Sequence, residues 1–206
     1  MVPRALSPRP MTPPAAESPA LAALRAATAE AHQRLEDAVD IGRAAADPAR
    51  YRELLARFLG FYRPLEAALA HAEIPGLDPA ARRKTPWLEA DLRALGLDGS
   101  AVLALPDCPA LPATDTPERA LGCLYVLEGS TLGGRHISAT LLRGSPVPEG
   151  ARRFFAGYGA DTGARWREFL LALENFARAA GDAAPGNIAA AGRETFARLQ
   201  AWIMRG

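Results

Sequence analysis

Long apolar runs are missing from this sequence. None approaches the ~20 residues of a membrane-spanning helix, and the first 19 residues carry prolines and scattered charges where a secretory signal would carry an apolar stretch. Cysteine is nearly absent. Cys108 and Cys123 alone make no disulfide framework, so a reduced, cytoplasmic setting is the expectation. Neither sign of charge is in excess: 24 basic and 23 acidic residues leave a net charge of +1, with no field to draw nucleic acid or an anionic membrane. Alternating β-branched runs bounded by tight turns are lacking, which removes strands from the expected architecture. Also absent are HExxH, paired CxxC, Glu-x-x-His on a helix and G-x-S-x-G, the signatures of zinc, di-iron and serine-hydrolase sites.

What remains is helix. The 206 residues suffice for one domain with a real core, and 49% of them are hydrophobic. Residues 1–19, MVPRALSPRPMTPPAAESP, read as a disordered Pro-rich tail, and residues 20–206 as a single all-α helical bundle. A capping residue followed by proline marks one start after another: Ser18-Pro19, Asp47-Pro48, Asp78-Pro79, Thr85-Pro86 and Thr116-Pro117. Tyr51, Leu54, Leu55, Phe58, Tyr62, Leu65 and Leu69 form one wide apolar stripe at helical spacing. Trp166, Phe169, Leu170, Leu173 and Phe176 repeat it, as do Ile188, Phe196, Leu199 and Ile203. The stretch 97–116 reads as a long Pro-rich loop without useful charge chemistry.

Two features carry chemistry. In the first helix an apolar stripe runs through Leu21, Leu24, Thr28, Leu35 and Val39, and His32 falls on or at the edge of it. An imidazole presented inward from a rigid helix suits a metal or haem iron, and Glu36, one turn on, can accept the bond of the far ring nitrogen. The plainer alternative is a histidine half-buried at a helix seam. His71 reads as a helix-end cation and His136 directly follows the second feature. That feature is 127-LEGSTLGGRH-136, where Gly129, Gly133 and Gly134 interrupt what the flanks 119-RALGCLYV-126 and 137-ISATLLR-143 make one helix. Each glycine weakens a helix interior by roughly 0.8–1 kcal/mol relative to Ala. A bare helix face permits either a close helix crossing or close approach of a flat ligand, and Ser130 and Thr131 add hydroxyls to the same turn.

The segments 24-LRAATAEAHQRLE-36 and 125-YVLEGSTLGGRHI-137, joined by 153-RFFAGYGADTGARWREF-169, resemble the proximal, distal and following helices of the haem oxygenases. The likeness is to the bacterial, biliverdin-producing type associated with bacteriophytochromes, and runs in order from about residue 20 to 180. It implies an all-α fold with haem b lying between a proximal helix and a kinked Gly-rich distal helix. His32 would then be the axial iron ligand with Glu36 behind it. Gly129, Ser130, Gly133 and Gly134 would line the distal, catalytic side, and Arg25, Thr28 and Arg167 would contact the haem, the arginines meeting its propionates. Haem would be both cofactor and substrate, opened by O2 to biliverdin, CO and ferrous iron. Electrons would come from a separate reductase or ferredoxin-type donor, since no nucleotide-binding loop is recognisable, and a bacteriophytochrome is the expected acceptor of biliverdin. Neither nucleic acid nor membrane is implied.

One departure stands out. Many members of that family carry an aspartate after the first distal glycine, where this chain has Ser130, a hydroxyl without charge. Arg135 and His136 are placed to assist it. The alternatives are a protein of the same fold that carries haem without breaking it, and a helical partner-binding module whose glycines serve packing alone.

Overall fold

The computed structural model describes residues 18–140 and 143–205, so the expected N-terminal tail lies, but for Ser18 and Pro19, outside the described residues. Nine α-helices follow in order among the described residues: α1 Pro19–Val39, α2 Ile41–Ala45, α3 Pro48–Leu69, α4 Thr85–Ala94, α5 Gly99–Leu103, α6 Pro117–Thr140, α7 Arg153–Ala156, α8 Thr162–Ala180 and α9 Ala184–Ile203. Short 3-10 turns at Ala80–Arg82, Glu149–Ala151 and Gly159–Asp161 link them. No strand occurs among these residues, only one isolated bridge between Ile74 and Leu77. The all-α expectation holds.

Most of the starts read from sequence are real caps. Ser18 Oγ accepts from Leu21 N, Asp47 Oδ1 from Ala49 N, Asp78 Oδ1 from Ala80 N and Thr116 Oγ1 from Arg119 N. Thr85 is the exception, because α4 begins at Thr85 itself and is capped from α3 instead. The buried Glu66 carboxylate accepts from Lys84 N at 2.7 Å, Thr85 N at 2.9 Å and Thr85 Oγ1 at 2.6 Å. A full negative charge at a helix N-terminus binds those amides better than a hydroxyl can.

The seven apolar residues of the α3 stripe are all buried and form the middle of the core with Phe154, Phe155, Leu88 and Leu92. Pro64 sits inside this helix and has no N–H to give the carbonyl of Gly60. That carbonyl is taken up from outside by Cys108 N at 2.7 Å. The stretch 97–116 is therefore not a featureless loop. It contains α5, capped by Asp98, and is tied to α3 by an ion pair from Arg63 to Asp107 at 2.7 Å and by an Arg63 bond to Leu105 O at 2.7 Å.

α9 is the element on which α1 and α6 both lie. Gly192 of α9 sits where the three meet: a methyl group there would fall 2.8 Å from Leu24 Cδ2, 3.5 Å from Thr28 Cγ2 and 3.6 Å from Gly122 O. Gly122 of α6 is tighter still, since a methyl would stand 2.5 Å from Ala191 Cβ and 2.6 Å from Ile188 O. α1 and α9 run the same way, so His32 lies beside Phe196 one turn beyond this junction. Because backbone blocks the added methyl, Gly122→Ala should cost about 1–3 kcal/mol, read from urea unfolding, although Ala is the better helix former.

α7 is short, and a carboxylate from α4 holds it. Asp91 is fully buried and accepts from Arg153 N at 2.9 Å and Phe154 N at 2.8 Å. Burial pushes its carboxyl up to about 6, against the lowering effect of those two amides. With the folded value above the unfolded one, Asp91 favours the folded state fully only below about pH 4 and loses that contribution as pH rises through 6. Relative to Asp91→Asn, the wild-type chain should therefore gain about 1 kcal/mol of stability between pH 7.5 and pH 5. Paired urea titrations at the two pH values measure it.

Candidate functional site

Past the Gly192 junction, the faces that α1 and α6 present to α9 continue outward. On α1 the face runs from Leu24 through Thr28 to His32, at successive spacings of four. Leu24 and Thr28 are buried, whereas the His32 side chain is 55% exposed. Its ring meets Phe196 edge-on at 5.6 Å between centroids, and Nδ1 lies 3.6 Å from Glu36 Oε2. With Glu36 beside Nδ1, Nε2 is the nitrogen left for another partner. The imidazole thus stands at the edge of the apolar stripe, supported on one side by an aromatic ring.

Thr28 is buried on the apolar stripe of α1, as its spacing predicts. It is 2% exposed, donates from Oγ1 to Leu24 O at 2.7 Å and packs its methyl towards Gly192. It seats α1 on α9. Arg25 lies seven residues before His32, two turns away on nearly the same face, and is exposed. Arg167 is exposed on α8, its Nη1 near Gly163.

On α6 the glycines divide into two sets. At about 100° per residue, Gly122, Gly129 and Gly133 share one face, while Glu128, Thr131 and Gly134 fall on the opposite one. Gly122 packs on α9, but a methyl at Gly129 or Gly133 would meet nothing within 4 Å. Gly134 behaves differently: a methyl there would fall 2.8 Å from Phe155 O, so this glycine admits the α7 backbone behind the helix rather than lining the open side. Gly157, at φ +59°, ends α7 with its Cα towards Thr131. α6 is therefore covered on one face at 131 and 134 and bare on the other at 129 and 133. The helix runs on through all three glycines to Thr140.

Ser130 lies at the margin of the bare face. Its Oγ donates to Leu127 O at 2.8 Å and stands 3.0 Å from Tyr62 Oη. With the serine proton committed to Leu127 O, Tyr62 is the donor to Ser130. The fully buried Tyr62 phenol suits that role, since burial raises it far above the ordinary phenol range despite the Ser130 bond. The sequence counted Tyr62 only as core, because its spacing is that of an apolar stripe and a hydroxyl leaves no trace in such a pattern. Glu128 went unnoticed for the same reason. It ends the apolar run 120–127, yet it is 1% exposed and bonded to Arg82, Lys84 and Tyr158. A carboxylate closing an apolar helical run was the available signal. Of Arg135 and His136, the side chains lie outside the described residues.

A separate groove of about 340 Å3 lies where the ends of α1 and α9 meet α3, lined by Arg43, Arg50, Arg57 and Arg205 among others. It contains neither His32 nor the α6 glycines.

Comparison with known proteins bears on the fold and the family. The chain is 39% identical over 94 residues to a heme oxygenase of Xanthomonas campestris pv. campestris (strain 8004), an alignment covering 45% of this chain and 52% of that protein. The match thus spans about half the length of that relative. In structure it resembles the heme oxygenase of Neisseria meningitidis, solved with NO and CO bound, at a TM-score of 0.70 and 21% identity, with 91% of each chain covered. At that identity the likeness establishes the shared fold. The family model described as heme oxygenase matches residues 18–205, nearly the whole described chain, and on that match the chain belongs to the heme oxygenase family.

Proposed function

We propose that this chain binds haem b between α1 and α6 and cleaves it to biliverdin, CO and ferrous iron. The observation that carries the reading is the pairing of an uncommitted imidazole nitrogen on one helix with a side-chain-free face on another, both leading away from one junction at Gly192. A flat macrocycle ligated on one side and approached by backbone on the other fits that pairing. Haem as substrate supplies the iron at which O2 is activated and the ring that is opened.

The chain's residues divide the remaining work. His32 offers Nε2 to iron, and Glu36 beside Nδ1 favours the tautomer that leaves Nε2 unprotonated. A neutral imidazole would lend iron less charge than a thiolate, which would set the character of the O2 chemistry that haem supplies when bound. Phe196 holds the ring by its edge. Arg25 and Arg167, both exposed, provide the cations for the propionates. Gly129 and Gly133 leave space at the distal face, which a Cβ branch would fill. Ser130 takes the place of the usual aspartate with Tyr62 behind it. Because Tyr62 donates to the serine oxygen, the serine proton can turn from Leu127 O towards the open side without leaving that oxygen unbonded. A serine hydroxyl backed by a neutral phenol thus does the work of a charged group.

Electrons come from a separate reductase or ferredoxin-type donor, and biliverdin passes to a bacteriophytochrome. Two buried, unbridged cysteines accord with a cytoplasmic setting, and no helix among the described residues is long and apolar enough to cross a membrane.

Titration with hemin tests the ligand. Wild-type protein should show a Soret band that shifts and weakens in His32→Ala, with at least about a tenfold loss of affinity, or roughly 1.4 kcal/mol. An unchanged spectrum and affinity in the variant would remove His32 from the site. Supplying O2 and an electron donor then separates an oxygenase, which bleaches the Soret band into a bilin spectrum, from a haem carrier, which keeps it.

Gly133→Leu tests the bare face. With nothing within 4 Å, the haem-free variant should be as stable as wild type or up to about 1 kcal/mol more stable, since leucine is the better helix former. Its turnover should fall by about tenfold or more, because the space for bound oxygen is filled. Equal turnover with intact hemin binding would place oxygen elsewhere.

A further inference from the structure

Glu128 lies behind the bare segment, at the centre of a buried charge cluster that the chemistry above does not use. Its Oε2 accepts from Arg82 Nη1 at 2.7 Å, and its Oε1 from Lys84 Nζ at 2.5 Å and Tyr158 Oη at 2.9 Å. Lys84 is the only lysine among the chain's 24 basic residues and is 1% exposed. Its ammonium has three protons and finds three acceptors: Glu128 Oε1, Arg82 O at 2.8 Å and Tyr158 Oη at 3.3 Å. Arg82 continues outward to Arg165 O and Glu168 Oε2, both at 3.1 Å. Burial and the adjacent Glu128 drive the Tyr158 phenol far above its ordinary range, so it remains a donor to that carboxylate.

Desolvating so many charges is an inefficient route to stability, since apolar side chains of the same volume commonly serve as well or better. What such a cluster supplies is a defined position. It ties the turn at Ala80–Arg82, the start of α4, the Tyr158 turn and the first turns of α8 to one carboxylate, and that carboxylate immediately precedes Gly129. The contacts at Thr131 and Gly134 extend the same braced face. Downstream, glycine makes the helix intrinsically soft, and the open face offers no packing to hold it.

We propose that Glu128, clamped by Arg82, Lys84 and Tyr158, is a positioning residue that fixes the tilt and register of segment 129–134, so that the bare face exposes one edge of the haem to attack. The inference rests on the haem-cleaving reading for its consequence but not for the clamp itself. The clamp is tested without haem, by hydrogen exchange of haem-free protein. In Glu128→Gln, amides of 129–136 should exchange faster by about tenfold or more than in wild type, beyond any change elsewhere in α3 and α9. Lys84→Arg, which keeps the charge but cannot place three donors about one point, should act in the same direction. The consequence is tested by chromatography of the bilin isomers from single turnovers: one isomer from wild type should become a mixture in both variants, while the Soret band keeps its His32-ligated form. Leu69→Ala, a core truncation at the end of α3, serves as a control that lowers stability without changing the isomer.

Wild-type exchange rates at 129–136 in folded Glu128→Gln or Lys84→Arg would overturn the proposal, as would faster exchange with a single unchanged isomer, or an isomer mixture from Leu69→Ala. Should Glu128→Gln fail to fold, Tyr158→Phe, which removes one hydrogen bond to the carboxylate, decides between the same outcomes. A wild-type protein that yields no bilin would sink the haem-cleaving reading and leave the exchange result to judge the clamp.

Discussion

Close contact between helices without intervening side chains is the constraint on which this molecule is built. At Gly192 and Gly122 the backbones of α9 and α6 touch, and the side chains of α1 enter the same junction. A single methyl at Gly122 would have to push aside backbone, which cannot yield as a flexible side-chain end can. The consequence reaches beyond packing. Because α1 and α6 are pinned to one partner at one level, the residues further along each helix are held at set positions, with His32 on one and the bare glycine face on the other. A site assembled this way inherits its geometry from rigid helices rather than from loops.

The same helix uses glycine for opposite purposes within three turns. Gly122 and Gly134 are small because protein backbone occupies the place of the side chain. Gly129 and Gly133 are small with nothing there at all. Stability alone accounts for the first pair. It argues against the second, since an exposed glycine inside a helix only weakens it. A local rule broken without a gain in packing is what a functional segment would show, and this one adjoins Ser130. The weakened segment is not left unsupported. The charges gathered around Glu128 and the α7 turn at Phe155–Gly157 lie against the far side of α6, while its front is left open.

Each buried carboxylate among the described residues has a mechanical task. Glu66 caps α4, Asp91 caps α7, and Glu128 joins α6 to the segments around Arg82, Lys84 and Tyr158. Two of the three carboxylates end short helices that could not persist alone. Tyr62 has a different office, backing Ser130 with a phenol that burial keeps protonated. On the proposed reading this pair would stand where a fixed negative charge is usual, ordering its partners by direction of bonding rather than by field.

Local pattern by itself determined the helical class, the caps at Ser18, Asp47, Asp78 and Thr116, and the buried α3 stripe. These depend on periods and capping chemistry that operate over a few residues. Tertiary structure alone decided the rest. That Thr28 meets Gly192 of α9 is one such matter, because a period of four does not say which neighbour a buried face meets. Gly134 parted from Gly129 and Gly133 because only the placement of α7 distinguishes an occupied side of α6 from an open one. Thr85 lost its cap to Glu66, and Glu128 found Arg82 and Lys84, through contacts spanning 18 to 46 residues that no local pattern encodes. Hydrogen bonds and ion pairs are chosen by proximity in space, and proximity between distant segments exists only once the helices have packed.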